Sequence, residues 1–214
     1  SEKEVRILCK QDTRESRPQV FKDKGLFILP KHNGVYYIIK GEGYVDIPEI
    51  SSPVKEYHKK LDFDLTSSRV GNSEMQHLDY AYANSLIRTF MGDDSLVLTI
   101  RGRKYTPAFR FMASGFELEI SSVQTEVDAG YEGRDKIVLI EAKNNSNRNT
   151  IIRQLYYPFR QWQDLLDKTV YPLFFEKRTV GGEQVYYIWQ FEFTDKCDYN
   201  SLRLVKADRY RIVV

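Results

Sequence analysis

The chain has 214 residues, enough for one domain or for one domain with a small additional lobe. Its 32 basic and 30 acidic residues nearly cancel, so the net charge of +2 does not indicate a nucleic-acid partner, and only local charge clusters can. Cys9 and Cys197 are too few and too far apart for a disulfide framework or a thiolate metal site, and they fit a reducing cytosol. The three histidines lack zinc-site spacing, and no apolar run is long enough to span a membrane.

The first part of the chain, residues 1–70, predicts a strand-rich lobe. GLFILP (25–30) and GVYYIIKGEGYVDIP (34–48) contain many β-branched and aromatic residues, and KHNG between them is typical of a hairpin turn. The polar stretch that follows predicts a connector with a short helix at 53–60. We therefore place a domain boundary at residue 70 and expect residues 71–214 to form the main domain.

A helix is predicted at 74–91 by its start signal, its periodicity and its stop signal. Ser73 and Gln76 have the spacing of a capping box, and Gly92 is a typical C-terminal stop. Apolar residues recur between these signals at steps of three and four, at Met75, Leu78, Tyr82, Leu86 and Phe90.

Strands and a second helix follow. The strands are predicted at 95–100, 108–112, 116–122, 123–128 and 136–143, with MASG as a turn. The second helix is predicted at 149–167, with a kink or break at Pro158 and a core stripe of Ile151, Leu155, Phe159, Trp162 and Leu166. Strands at 169–177 and 183–194, a Gly-Gly turn at 181–182 and a final strand in RYRIVV complete the order. This order predicts an α/β protein with a mixed β-sheet flanked by helices.

Two of these strands carry charged side chains at their ends. In VQTEVD one face is mostly apolar, and the other carries Gln124, Glu126 and Asp128. In KIVLIEAK one face is apolar throughout, whereas the other starts apolar and becomes charged at Glu141 and Lys143. The second strand is therefore expected to be buried on both faces until its last residues enter a cleft.

An antiparallel pairing of these two strands would bring Asp128 beside Glu141. Neighbouring carboxylates repel each other and raise a pKa, and a divalent cation removes this penalty. Oxygen ligands on a rigid sheet suit Mg²⁺, which keeps several waters and adds the phosphate oxygens of a substrate. Lys143, on the face of Glu141, would orient the attacking water or stabilise developing phosphate charge. The alternative is a structural salt bridge between Glu141 and Lys143, with Asp128 in a turn.

The frame formed by Asp128, Glu141, Ala142 and Lys143, D-x12-E-A-K, resembles the motif of the PD-(D/E)xK nuclease superfamily. The predicted elements follow the αβββαβ order of that superfamily's core. The segments QTEVDAGYE, IVLIEAK and RQLYYPFRQW together resemble bacterial type II restriction endonucleases, and the resemblance covers about residues 73–176. The chain departs from the pattern in having Val127 where a proline is common. It also lacks a strict Q-x-x-x-Y motif, because Pro158 lies four residues after Gln154.

The resemblance implies a Mg²⁺-dependent deoxyribonuclease. Asp128 and Glu141 would bind the metal together with the backbone carbonyl of Ala142, and Lys143 would be the catalytic lysine. Glu74, in the first turn of the first helix, and Glu126, on the face of Asp128, are accessory candidates. For Glu74 a favourable interaction with the helix dipole is the alternative explanation.

Several basic residues are candidate contacts to DNA phosphates or bases, and solvated surface charge is the alternative for each of them. These residues are Arg101, Arg103, Lys104 and Arg110 in RGRKYTPAFRF, and Arg153 in the second helix.

The function expected from the residues and the resemblance is sequence-specific cleavage of double-stranded DNA by a type II restriction enzyme, in a bacterial or archaeal cytoplasm. A homodimer would supply one site for each strand of a palindromic target. Residues 1–70 would serve DNA recognition or dimerisation, and residues 71–214 would be the nuclease core. The alternatives are a non-cleaving nucleic-acid-binding or assembly module on the same fold, and a repair or recombination nuclease.

Overall fold

The structure, a computed structural model, describes residues 8–144 and 146–213, apart from the side chain of Arg69. Its helices include α1 (Gln19–Lys24), α2 (Glu74–Ala83), α3 (Leu86–Met91), α4 (Arg153–Leu165) and a 3-10 helix at Ser67–Arg69. Its strands include β1 (Leu26–His32), β2 (Val35–Lys40), β3 (Tyr44–Asp46), β4 (Lys55–His58), β5 (Val97–Tyr105), β6 (Phe109–Ala113), β7 (Phe116–Ile120), β8 (Gln124–Glu132), β9 (Lys136–Lys143), β10 (Asn149–Ile151), β11 (Thr169–Val180), β12 (Glu183–Phe193) and β13 (Leu202–Val213).

A seven-stranded mixed sheet organises the described residues, in the order β4-β13-β12-β11-β9-β8-β5. β9 and β11 are parallel, as are β13 and β4, and the other neighbours are antiparallel. A parallel neighbour requires a crossover connection, and α4 lies in the connection between β9 and β11. The expected α/β architecture with a mixed sheet is therefore confirmed.

The central strand β9 is apolar on both faces, as its sequence predicts. Ile137 and Leu139 pack in a cluster with aromatic residues of α4. Val138 and Ile140 pack in a second cluster, with apolar residues of α2 and α3. The sheet thus separates two hydrophobic layers, and β9 contributes to both.

The predicted hairpin near the N-terminus is confirmed as β1 and β2. The two strands pair antiparallel, and Phe27, Leu29 and Ile39 are buried in the same cluster as Ile137. The hairpin thus shares its core with the main sheet. The expected division at residue 70 stays a prediction.

The helix predicted at 74–91 is two helices, α2 and α3. Its N-cap is confirmed, since Ser73 Oγ accepts a hydrogen bond from the Gln76 backbone N–H at 3.2 Å. The helix is interrupted at Ser85, which has a left-handed φ of 62°. Asn84 and Ser85 both have low helix propensity, which allows the break here. Gly92 ends α3 in the left-handed conformation, as predicted.

Two other helix predictions were wrong in part. Residues 55–58, in the expected short helix at 53–60, are strand β4, because they pair with the C-terminal strand at the sheet edge. The helix expected at 149–167 starts only at Arg153, since Asn149–Ile151 forms strand β10 against β3. α4 then continues through Pro158 without a break. Within the described residues, no helix is long and apolar enough to cross a membrane.

The cap at Ser73 positions the first turn of α2, which carries Glu74. We expect Ser73→Ala to lower the free energy of unfolding by about 1 kcal/mol, because the N–H of Gln76 loses its acceptor. Urea denaturation measures the change, and Ser51→Ala, at an exposed position outside the helices, is the matched control. Equal stabilities for the two variants would contradict the capping role.

Candidate functional site

The sheet opens where β8 leaves β9. The antiparallel ladder between them ends at the pair Ala129 and Ile140, whereas β8 stays paired with β5 as far as Gln124. Beyond the ladder, the side chain of Asp128 replaces the strand as hydrogen-bond acceptor, since its Oδ2 accepts from the backbone N–H of Ala142 at 2.8 Å. The expected antiparallel pairing is therefore present, and Asp128 is bound to Ala142, the residue that follows Glu141.

Gly130 allows β5 to approach β8 closely just before this opening. A Cβ atom at residue 130 would lie 2.6 Å from the Cβ of Ile100, a distance that side chains do not tolerate. The ladder between β5 and β8 is irregular on both sides of Ile100. This close contact holds β8 to β5 at the position where β8 parts from β9.

Glu141 and Lys143 form an ion pair at the end of β9. The Lys143 ammonium donates to Glu141 Oε1, and only 11% of the Glu141 side chain and 24% of the Lys143 side chain are exposed. Burial raises the pKa of Glu141 to about 7, against the opposing effect of Lys143 and with a further increase from Asp128. Burial lowers the pKa of Lys143, but the carboxylates of Glu141, Glu74 and Asp128 together raise it by more, so the net shift is upward.

Asp128 is the second carboxylate at this position. Burial raises its pKa, although the Ala142 N–H and Lys143 oppose the shift. Both carboxylates are therefore harder to ionise than in water, because each is desolvated and each lies in the field of another carboxylate, Glu126 for Asp128 and Asp128 for Glu141. A cation bound between them would remove this cost.

Within the described residues, no group of three or more His, Cys, Asp or Glu side chains has a metal-binding arrangement. Two carboxylates are nevertheless enough for Mg²⁺, which retains waters and takes further ligands from a phosphate. The hydrogen bonds described above use Asp128 Oδ2 and Glu141 Oε1. The second oxygen of each carboxylate has no hydrogen-bond partner among the described residues. The donor set thus fits a hard cation.

These residues line a cleft with a volume of about 630 Å³. One wall comes from β8, β9 and the start of α4, and the other comes from the N-terminal segment and the β1–β2 hairpin. The residues of this second wall are Cys9, Lys10, Asp12, Pro30, His32, Asn33, Gly34 and Tyr36. The cleft is therefore built jointly by two parts of the chain that are distant in sequence.

The charged side chains of the cleft leave a small negative excess. Four are basic (Lys10, Arg103, Lys143 and Arg153), and five are acidic (Asp12, Glu74, Glu126, Asp128 and Glu141). An anionic substrate would meet a net repulsion here when all these groups are ionised, and a divalent cation would reverse its sign. The charge balance of the cleft, like the pair of carboxylates, therefore favours a site for a divalent cation.

The accessory candidates lie at the cleft. Glu74 lines it from the first turn of α2 and contributes to the raised pKa of Lys143. Glu126 also lines it, but its carboxylate accepts from Arg103 at 3.2 Å. Arg153 reaches the cleft from α4 and lies 3.6 Å from Asp12.

Three of the basic candidates do not line the cleft. Arg101 pairs with Asp79 of α2, and Arg110 pairs with Glu119 across the β6–β7 hairpin at 3.0 Å. The ammonium of Lys104 lies 5.9 Å from the ring centroid of Trp162. For Arg101 and Arg110 the pairing supports the surface-charge explanation. Contact with DNA by any of the three stays a prediction.

Sequence patterns did not indicate the residues of the second wall. Lys10 and Asp12 lie in an irregular polar segment, and the sequence around His32 and Asn33 predicts only a hairpin turn. Gln154, whose motif is incomplete, also lines the cleft, and its side-chain Oε1 accepts from the Thr150 hydroxyl at 2.7 Å. The sequence carries no spacing that links residues 9–36 to residues 128–143, so only the fold reveals their proximity.

The fold and the site define an α/β protein with a mixed sheet and an acidic cleft where that sheet opens. The chain belongs to the family described as Domain of unknown function (DUF6997), whose family model matches residues 39–211. A second family model, Domain of unknown function (DUF6996), matches residues 1–38. No curated protein and no solved structure matches the chain. The two family models thus meet within β2, and each includes one wall of the cleft.

The raised pKa of Glu141 predicts a pH-dependent contribution to stability. In the unfolded chain this carboxyl ionises near pH 4.5, whereas in the folded protein it ionises at about 7. Between these values the unfolded state releases the proton first, so the contribution of Glu141 to stability falls as the pH rises. We compare the melting temperatures of the wild type and Glu141→Gln in EDTA. We expect the difference, wild type minus variant, to decrease from pH 5 to pH 7.

Calorimetry across this pH range measures the difference. Glu192→Gln removes a carboxylate that pairs with Arg203 on β13 and lies outside the cleft, so it serves as the control. If the melting-temperature difference for Glu141→Gln is independent of pH, or grows with pH, the raised pKa of Glu141 is contradicted.

Proposed function

We propose that this protein is a Mg²⁺-dependent endonuclease that hydrolyses phosphodiester bonds in double-stranded DNA at specific sequences, as type II restriction enzymes do. The observation that carries the proposal is the meeting of Asp128, Glu141 and Lys143 where the sheet opens into a cleft. Two partly desolvated carboxylates and an ammonium at one end of an apolar strand have a strong electrostatic cost. A site for a divalent cation and a phosphate explains why they are together.

The order of elements supports the resemblance to the PD-(D/E)xK superfamily. α2 and α3 precede three strands, β5, β8 and β9, that are antiparallel neighbours in the sheet. α4 then connects β9 to β11, which is parallel to β9. The β6–β7 hairpin is inserted between β5 and β8 and forms a separate two-stranded sheet. Leaving this insertion aside, the arrangement follows the αβββαβ order.

Each of the three side chains has a distinct role in the proposed reaction. Mg²⁺, when bound, would supply positive charge to the scissile phosphate and to the oxygens that attack and leave. Asp128 and Glu141 would hold it through the carboxylate oxygens that have no partner among the described residues, and the carbonyl of Ala142 would complete the set as the resemblance implies. The N–H of Ala142 fixes the orientation of Asp128 before any ligand binds.

Lys143 would act on the attacking water. In the described structure its ammonium is bound to Glu141, so it is held beside the carboxylate pair. When Glu141 binds the cation, the ammonium of Lys143 is no longer held by the Glu141 carboxylate. Lys143 can then orient a water molecule and offset negative charge on the phosphate. The water oxygen bonds to phosphorus and releases a proton to the solvent, the bond from phosphorus to the leaving oxygen breaks, and the leaving oxygen takes up a proton from the solvent.

The size of the cleft fits part of one strand. Its volume of about 630 Å³ is typical of pockets that take small ligands. It can enclose the scissile phosphate and its neighbours but not both strands of a duplex. Cleavage of both strands would therefore use two copies of the site, and a homodimer with twofold symmetry suits a palindromic target.

We expect the purified protein to cleave plasmid DNA with Mg²⁺ and not in EDTA. Lys143→Ala should reduce the rate on the order of 100-fold to 1,000-fold, because it removes a group that stabilises charge in the transition state. Asp128→Ala should reduce it at least as much. Gel analysis of the products over time measures the rates.

Two variants outside the cleft serve as controls: Lys22→Ala on α1 and Glu192→Gln on β12. Cleavage that is unaffected by either Asp128→Ala or Lys143→Ala would refute the assignment. Salt-dependent DNA binding without cleavage would favour the non-cleaving module, with Glu141 and Lys143 as a structural pair. Nicking that depends on DNA structure, without a fixed sequence, would favour a repair or recombination nuclease.

A further inference from the structure

We propose that Asn33, at the tip of the β1–β2 hairpin, is a base-reading site of this protein and that it favours adenine. The inference rests on the proposed function, since it takes DNA as the ligand of the cleft. It assigns sequence recognition to a residue on the wall opposite the carboxylates.

The hairpin tip and the candidate catalytic residues line the same cleft. His32, Asn33 and Gly34 contribute to one wall, and Asp128 and Glu141 contribute to the other. A strand of DNA with its phosphate at the carboxylates would therefore have the tip of the hairpin within the same cavity. The sugar and base next to that phosphate are the parts of the substrate that the tip can contact.

The hairpin is held firmly on the rest of the protein. The carbonyl of Pro30 accepts a hydrogen bond from the Tyr157 hydroxyl of α4 at 3.1 Å. The carbonyl of Lys31 accepts from the Ser121 N–H at 3.0 Å. On the second strand, the Tyr37 hydroxyl donates to the carbonyl of Glu119 at 2.9 Å. A recognition group must be fixed relative to the catalytic residues, and these contacts supply that fixation.

The turn itself is tight. Gly34 has a left-handed φ of 79°, which glycine adopts without strain, and His32 Nδ1 lies 3.3 Å from the carbonyl oxygen of Asn33. Asn33 is exposed, and its side-chain amide has no hydrogen-bond partner among the described residues. The structure thus presents an unpaired amide from a rigid turn.

An amide is the right group for adenine. Asparagine can accept from N6 and donate to N7 of adenine at the same time, and each such pair discriminates against other bases. Arginine is the usual reader of guanine, but Arg103 is paired with Glu126 and Arg153 lies against Asp12. Asn33 and Gln124 are therefore exposed amides of the cleft that are available for a base edge, and Asn33 is the one that a turn presents.

The family matches are consistent with a separate recognition element. Asn33 falls in the segment matched by the second family model, residues 1–38, whereas all three candidate catalytic residues fall in residues 39–211. Chemistry and recognition would then come from different segments that meet at one cleft.

The test uses a duplex library with a randomised window. The wild type, Asn33→Ala, Asn33→Asp and the control Gln184→Ala are each used for cleavage with Mg²⁺ and for binding selection with Ca²⁺, which also prefers oxygen ligands. Gln184 carries an amide near the turn of the β11–β12 hairpin, outside the cleft. Sequencing of the cut ends and of the bound duplexes gives the base preference at each position.

We expect the wild type to require adenine at one fixed position and Gln184→Ala to keep that preference. Asn33→Ala should reduce discrimination at that position by roughly tenfold to a hundredfold, with other positions unchanged. Asn33→Asp should shift the preference at the same position toward cytosine, whose N4 amine donates to a carboxylate. Circular dichroism melting checks that both variants are folded.

An unchanged preference in folded Asn33→Ala and Asn33→Asp would overturn the inference, as would a wild type that selects no sequence in either arm. A wild type that does not cleave, but whose Ca²⁺ selection yields an adenine that Asn33→Ala relaxes, would support Asn33 as the reader. That result would at the same time refute the nuclease assignment, so the two failures are distinguishable.

Discussion

The separation of β8 from β9 after the pair Ala129 and Ile140 is the feature on which the rest of the site depends. While the strands are paired, backbone groups satisfy each other and apolar side chains fill both faces. Where they part, Asp128 takes over as acceptor for a backbone N–H of β9, and a cavity opens beside it. A carboxylate that completes a strand ladder is held in one orientation without any ligand, which is the preorganisation that metal and phosphate binding require.

The same geometry has an energetic cost. Glu141 is almost fully buried at the end of an apolar strand, and its pKa of about 7 reflects the free energy needed to keep it ionised there. Lys143 offsets part of this cost through the ion pair, but Asp128 adds to it. Buried charges that are imperfectly compensated in the free protein are typical of functional sites, since a ligand can supply the missing charge. The electrostatic cost of burying Asp128, Glu141 and Lys143 together is the main physical argument for chemistry at the cleft.

The N-terminal segment completes the site. Its hairpin shares a hydrophobic cluster with β9 and α4, so it is part of the core, and it also supplies a polar wall opposite the carboxylates. The small sheet of β3 and β10 joins this segment to the stretch after Lys143. The β3–β10 pairing also explains why α4 starts later than its periodicity predicts, because residues 149–151 form a strand that pairs with β3.

The sequence by itself determined the strands β8 and β9, their apolar faces and the placement of Glu141 and Lys143 at the end of β9, because side-chain alternation is a local property. It also determined the cap at Ser73 and the mixed character of the sheet. Only the tertiary structure decided that residues 55–58 form an edge strand, that Asn84 and Ser85 break a helix, and that Lys10, Asp12 and Asn33 line the same cleft as the carboxylates. These features depend on contacts between residues far apart in the chain, and no periodicity or spacing encodes such contacts.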